Sequence, residues 1–139
     1  MILVDTNVVL EPLKPMPSTQ MLDWLDAQSI ETLFISAISI AELRNGVASM
    51  SAGRRRDVLQ ARIEKDVLAL FADRILPLDF DATESFARCM AEAKRAGTPV
   101  SMADGFIGAI AKSRDLMVAT RDVAPFASMG VSVINPWAV

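Results

Sequence analysis

Histidine and tyrosine are absent from the 139 residues, and cysteine occurs once, as Cys89. Without imidazole there is no Ser-His-Asp triad, no His-paired thiol nucleophile and no His-ligated zinc. A single thiol excludes an intrachain disulfide and a multi-Cys metal site, and it fits a reducing, cytoplasmic setting. Long apolar runs are also missing. The longest uncharged stretch, Val123 to Val139, is broken by Pro125, Gly130 and Pro136, whereas a membrane-spanning helix needs about 20 consecutive apolar residues. The amino terminus carries no basic residue ahead of its apolar ones and meets an acid at Asp5, unlike a secretory leader. Excess positive charge is lacking too: 14 Lys and Arg against 17 Asp and Glu leave a net charge of −3, so any contact with nucleic acid must come from a local patch. An enzyme of this composition works with carboxylates, Lys and Arg, Ser and Thr or Cys89, and a hard metal ion is the natural complement. Cys89, beside Met90 in an amphipathic pattern, reads as a small core residue.

What is present is a chain with 52% hydrophobic residues, enough for one core and short for two, so residues 1–139 are expected to form a single domain. Ile2-Leu3-Val4, Thr32-Leu33-Phe34-Ile35, Ile75-Leu76, Leu116-Met117-Val118-Ala119 and Val131-Ser132-Val133-Ile134 are the short, mostly apolar runs of buried parallel strands. Between them lie helical stripes: Met21, Leu22 and Leu25; Ile40, Leu43 and Val47; and Leu59, Ile63, Val67, Leu70 and Phe71 in one long helix from Arg54–Arg56. Asp81 with Glu84 opens a further helix with Phe86, Met90 and Ala93 on its apolar face and Gly97 at its end; Ser101 to Lys112 forms the last. Alternating strands and helices predict an α/β fold of three layers, α/β/α, around a mostly parallel sheet.

In such sheets the site lies beyond the carboxyl ends of the strands, and four acids can meet there. Asp5 ends the first strand, Glu42 lies in the first turn or so of the helix after the second, Asp104 lies near the start of the helix leading into the fourth, and Asp122 follows that strand. Each has a plainer explanation. Ser39-Ile40-Ala41-Glu42 and Ser101-Met102-Ala103-Asp104 have the spacing of capping boxes, and Asp5 and Asp122 could be turn formers. Asp5 resists this, because a carboxylate between the apolar runs Ile2–Val4 and Val8–Leu10 is costly unless something binds it. Thr6, Asn7 and Thr120 could hydrogen-bond the carboxylates or simply make turns. Arg121 and the run Arg54-Arg55-Arg56 could meet phosphate, and the run could equally be a solvated helix end.

Leu3-Val4-Asp5-Thr6-Asn7, Ile40-Ala41-Glu42-Leu43 with Gly46, Ala103-Asp104-Gly105-Phe106-Ile107 with Ala109 and Ala111, and Val118-Ala119-Thr120-Arg121-Asp122 resemble, in this order and spacing, the PIN-domain ribonucleases. Within them the chain is similar to the VapC-like toxins of bacterial toxin–antitoxin pairs, and Glu11-Pro12-Leu13 and Ile134-Asn135-Pro136-Trp137 look like the FitB-type subgroup. The resemblance implies an acidic site of Asp5, Glu42, Asp104 and Asp122 that holds Mg²⁺ or Mn²⁺ for hydrolysis of RNA. It further implies a homodimer inhibited by a small antitoxin. Many VapC relatives carry Asn at the position of Asp122 and an Asp-Phe pair shortly after it; this chain has Asp122 and then Pro125-Phe126, so the fourth acid is displaced. Apolar surface at Met21, Trp24 and Leu25 is a candidate contact for the dimer or antitoxin, with a core face as the default for such a stripe. Two other readings stand beside this one. An aspartyl-phosphate phosphatase would carry a second Asp where the chain has Asn7, and a non-catalytic α/β protein-binding module would use its acids only as caps.

Overall fold

The computed structural model describes residues 1–139. Strands β1 (Ile2–Val4), β2 (Leu33–Ser36), β3 (Ile75–Leu76), β4 (Met117–Ala119) and β5 (Val133–Ile134) form one parallel sheet in the order β3-β2-β1-β4-β5. Leu3 of the central strand, with Phe34, Val118 and Val133, points into one core, while Val4, Leu33, Ile35 and Ala119 point into the other. Both faces are covered, which is why the strands read as continuous apolar runs and not as alternating ones. Helices α1 (Thr6–Leu10), α2 (Thr19–Asp26), α3 (Ala37–Ala48) and α4 (Arg54–Arg62) contribute to the core around Val4. Helices α5 (Phe80–Arg95), α6 (Met102–Ser113) and α7 (Val123–Ser128) contribute to the core around Leu3.

Several local expectations change. Val8 to Leu10 do not resume a strand: Asp5 caps α1 instead, and the β-branched pair Val8-Val9 enters the core from a helix. The long helix after Arg54 is regular only to Arg62. It continues as a π segment, Ile63–Val67, and a 3₁₀ turn, Leu68–Phe71, which buries Leu68 and Phe71 and leaves Leu70 56% exposed. Helix α5 is capped by Asp79, whose carboxylate accepts from Ala82 N–H at 3.0 Å, so Asp81 and Glu84 lie inside it. Gly97 does end α5, in the left-handed region at φ 71°. Met21 is fully buried, while Trp24 and Leu25 pack against the same core and stay partly exposed, so interior packing is the main role of this stripe.

One glycine bears on the site. A Cβ on Gly105, next to Asp104, would come within 2.7 Å of Met90 Sδ and 3.0 Å of Phe86 Cε1. Its bare backbone is what lets α6 lie close against α5, and the start of α6 carries Asp104 to the sheet edge.

Candidate active site

The order β3-β2-β1-β4-β5 makes connections diverge on either side of β1, and Asp5 and Asp122 follow β1 and β4 at that carboxyl edge. Asp5 follows β1 directly and is 6% exposed. Its N–H bonds Ala119 of β4, its Oδ1 accepts from Thr6 N–H at 2.8 Å, and its Oδ2 accepts from Thr120 Oγ1 at 2.9 Å. Burial raises the Asp5 carboxyl above its ordinary value of 3.8, partly offset by these two hydrogen bonds, and the charge of Asp122 raises it further.

Thr120 is wholly buried and fully committed. Its one proton goes to Asp5, while its oxygen accepts from Asn7 Nδ2 at 3.3 Å and from the Asp122 N–H at 3.1 Å. Asn7 Oδ1 in turn accepts from the Arg121 N–H at 3.3 Å. Asn7 and Thr120 therefore bind the start of α1 to the turn after β4. Thr6 Oγ1 donates to Glu42 Oε1 at 3.1 Å, linking α1 to α3. The Arg121 guanidinium lies over the Trp137 ring, 5.5 Å from its centroid.

The capping alternative separates the acids. The residue that caps α3 is Ser36, whose hydroxyl accepts from Ser39 N–H at 3.0 Å, so Glu42 sits in the second turn and caps nothing. Burial of its carboxyl raises the Glu42 pKa above 4.5, the Thr6 bond lowers it and Asp5 raises it. Asp104 does sit three residues after a cap, with its N–H on Ser101 Oγ at 3.1 Å. Its carboxyl is nevertheless pushed up to about 6, first by burial, then by the charges of Asp5, Glu42 and Asp122. Asp122 precedes α7 without capping it. The charges of Asp5, Glu42 and Asp122, drawn from three other segments, thus all bear on Asp104. No group of three His, Cys, Asp or Glu side chains is arranged to grip an ion as it stands, and none of the four principal cavities is lined by these acids. Cys89 is buried, and burial raises its thiol, which removes it as a nucleophile.

Residues 2–131 match the family model described as the PIN domain. The chain belongs to the PIN-domain family. This PIN-domain chain is 51% identical over 137 residues to VapC ribonuclease Y4jK of Sinorhizobium fredii, covering 99% of itself and 98% of that protein. It is 46% identical to toxin FitB of Neisseria gonorrhoeae, covering 99% of each. The crystal structure of FitAcB from Neisseria gonorrhoeae superposes with a TM-score of 0.94 at 45% identity, covering 100% of both chains. The resemblance read from the motifs therefore holds: within the PIN family the chain groups with the VapC and FitB toxins.

Two residues that the sequence offered only as part of a resemblance acquire a physical role in the structure. Trp137 positions Arg121, and no spacing pattern announces a cation–π contact. Glu11, 4% exposed, binds Lys14 Nζ at 2.8 Å and the Ser18 N–H at 2.8 Å, and these partners hold its carboxyl below the ordinary value. Glu11 thereby fastens the Pro-rich loop to the cap of α2.

Proposed function

We propose that this chain, acting as a single domain in the cytoplasm, is the toxin of a toxin–antitoxin pair and an endoribonuclease dependent on Mg²⁺ or Mn²⁺. The observation that carries the reading is the gathering of acids from separate segments: Thr120 holds Asp5, Thr6 of the adjoining α1 holds Glu42, and the charges of Asp5, Glu42 and Asp122 all bear on Asp104. Such crowding is unfavourable in a helix cap and useful where a cation is to be held. Family supports the same reading: one relative is a VapC ribonuclease, another is the toxin FitB, and the solved VapBC-5 of Mycobacterium tuberculosis, 26% identical, is described as a member of the VapBC family of toxin–antitoxin systems. A small antitoxin and a second copy of the chain are the partners we assign on that basis.

The donor set fits the metal. All four side chains offer hard oxygen and none offers nitrogen or sulfur, which selects Mg²⁺ or Mn²⁺ over zinc. Mg²⁺ keeps several waters and takes only one or two carboxylates directly, so a ready three-carboxylate grip is not required. Asp5 and Asp104 would hold the ion, with Glu42 and Asp122 completing the shell or orienting water. When bound, it supplies an activated water and neutralises charge on the scissile phosphate. The chain's own residues prepare the edge. Thr120 fixes the Asp5 carboxylate in one orientation, Thr6 does the same for Glu42, and Asn7 holds the turn that carries Arg121 and Asp122.

The direct test is incubation of purified protein with a mixed RNA pool, with Mg²⁺ or with excess chelator, followed by mapping of cut ends. Cleavage is expected only with metal, and Asp5→Asn and Asp104→Asn should each reduce it by orders of magnitude while the fold persists. Undiminished cutting in chelator would overturn the mechanism.

A further inference from the structure

Away from the carboxylates, a groove of about 700 Å³ runs between the end of α1 with its Pro-rich loop and the start of α4. Leu10 and Leu13 belong to its apolar lining, while Lys14, Arg54, Arg55 and Arg62 supply four cations, and no acidic side chain lines it. Lys14 is engaged by Glu11, but Arg54, Arg55 and Arg62 take part in none of the six salt bridges. Helix α4 opens on Arg54, Arg55 and Arg56, at the end whose dipole is already positive, and the preceding Gly53 has no side chain to cap it. Asp57 in the same turn pairs with Arg56 at 3.9 Å but leaves Arg54 and Arg55 unpaired, an excess of positive charge that points to an anionic partner. Helix α1 is shared by the groove and the acids: Thr6 at its start bonds Glu42, and Leu10, about 6 Å further along the axis, lines the groove.

We infer that this groove holds the sugar–phosphate backbone of single-stranded RNA leading to the carboxylates, with Arg54, Arg55 and Arg62 contacting phosphates. The inference rests on the ribonuclease reading above and adds where the substrate lies. Planar guanidinium forks match phosphate oxygens, and the short helix α1 shared by groove and acidic edge favours substrate over an acidic peptide.

The test measures binding of a fluorescein-labelled oligoribonucleotide of mixed sequence by anisotropy, in excess chelator, from 50 to 200 mM salt. For single strands the salt slope of affinity is about 0.7 per phosphate neutralised, so Arg54→Gln, Arg55→Gln and Arg62→Gln together should make it shallower by about 2. Across that fourfold range the wild type should then lose about 20-fold more affinity than the triple variant. If the triple variant fails to fold, Arg54→Gln and Arg62→Gln singly should each change the slope by about 0.7. Arg88→Gln, Lys94→Gln and Arg95→Gln together, on α5, remove the same charge and should leave the slope as in the wild type. An unchanged slope in the groove variants, or an equal change in the α5 control, overturns the inference. So does a groove triple variant that binds RNA as the wild type does but no longer holds an oligo-glutamate peptide that the wild type holds. A wild type that neither binds nor cuts RNA defeats the ribonuclease reading itself, an outcome distinct from a wild type that cuts RNA with its groove variants unchanged.

Discussion

Thr120 has one proton and two lone pairs, and all three are used. Thr120→Val keeps the shape but strips Asp5 of a donor and leaves Asn7 Nδ2 and the Asp122 N–H without their acceptor. Loss of such a supporting bond should lower cleavage about 10- to 100-fold, and the unpaired groups should cost about 1–3 kcal/mol of stability. Thr120→Ser should rescue both, and the acidic limb of the pH–rate profile should move up in the valine variant, because Asp5 loses a bond that favours its charged form. Asp104 makes a second prediction. Its carboxyl titrates at about 6 in the folded chain against 3.8 ordinarily, so folding favours the protonated form. The stability this confers is complete below 3.8 and lost as pH rises through 6. Asp5 and Glu42 are raised and act in the same sense, whereas Glu11, Glu31 and Glu64 are lowered and oppose it only as pH falls below about 4.5. Metal-free protein should therefore melt higher at pH 5 than at pH 7.5 by calorimetry in chelator. Asp104→Asn should flatten that difference and melt above the wild type at pH 7.5; a variant that melts lower at both would return Asp104 to a capping role.

Among the elements, α3 offers the sharpest contrast. Its cap is Ser36, so Ser36→Ala should destabilise by about 1 kcal/mol, whereas Glu42→Gln, one turn in, should leave stability equal or higher and abolish most cleavage. Chemical denaturation of both variants beside an RNA assay decides it. That contrast also shows what the sequence could disclose. Ser36 and Ser39 are both plausible caps, and only the end of β2, fixed by its pairing with β1, selects the earlier one. Strands were legible because burial on two faces leaves no polar alternation to confuse them. The five-residue α1 was not, since Val8 and Val9 favour strands locally and are helical here only because Asp5 caps the turn and the core receives them. Pro125 hid α7, where it stands within the first turn and tolerates the helix. Asp5 and Asp122 could be assigned to one edge from strand ends, and Glu42 and Asp104 from the early helical turns that carry them. The bond that orients Asp5 spans 115 residues, and no local pattern carries it.

At the scale of the whole molecule, a cation that binds only the folded chain should raise its melting temperature, by about 2.7 kcal/mol of stability at a hundredfold excess over Kd. The gain should be larger at pH 7.5 than at pH 5.5, where Asp104 holds a proton, and should shrink in Asp104→Asn; a metal-independent melt would count against the assigned site. Central β1 is made first, yet one of its two neighbours, β4, and the hydroxyl that orients Asp5 come from the last quarter of the chain. At about 5–20 residues per second, translation leaves this candidate edge unassembled for on the order of 10 s while the polypeptide is still on the ribosome. On the ribonuclease reading proposed above, the nascent chain should be inert toward RNA until β4 has been made. Ribosome-stalled chains ending at Leu116 should be inert toward RNA when assayed beside released full-length protein, and cleavage by them would show that the edge forms without β4.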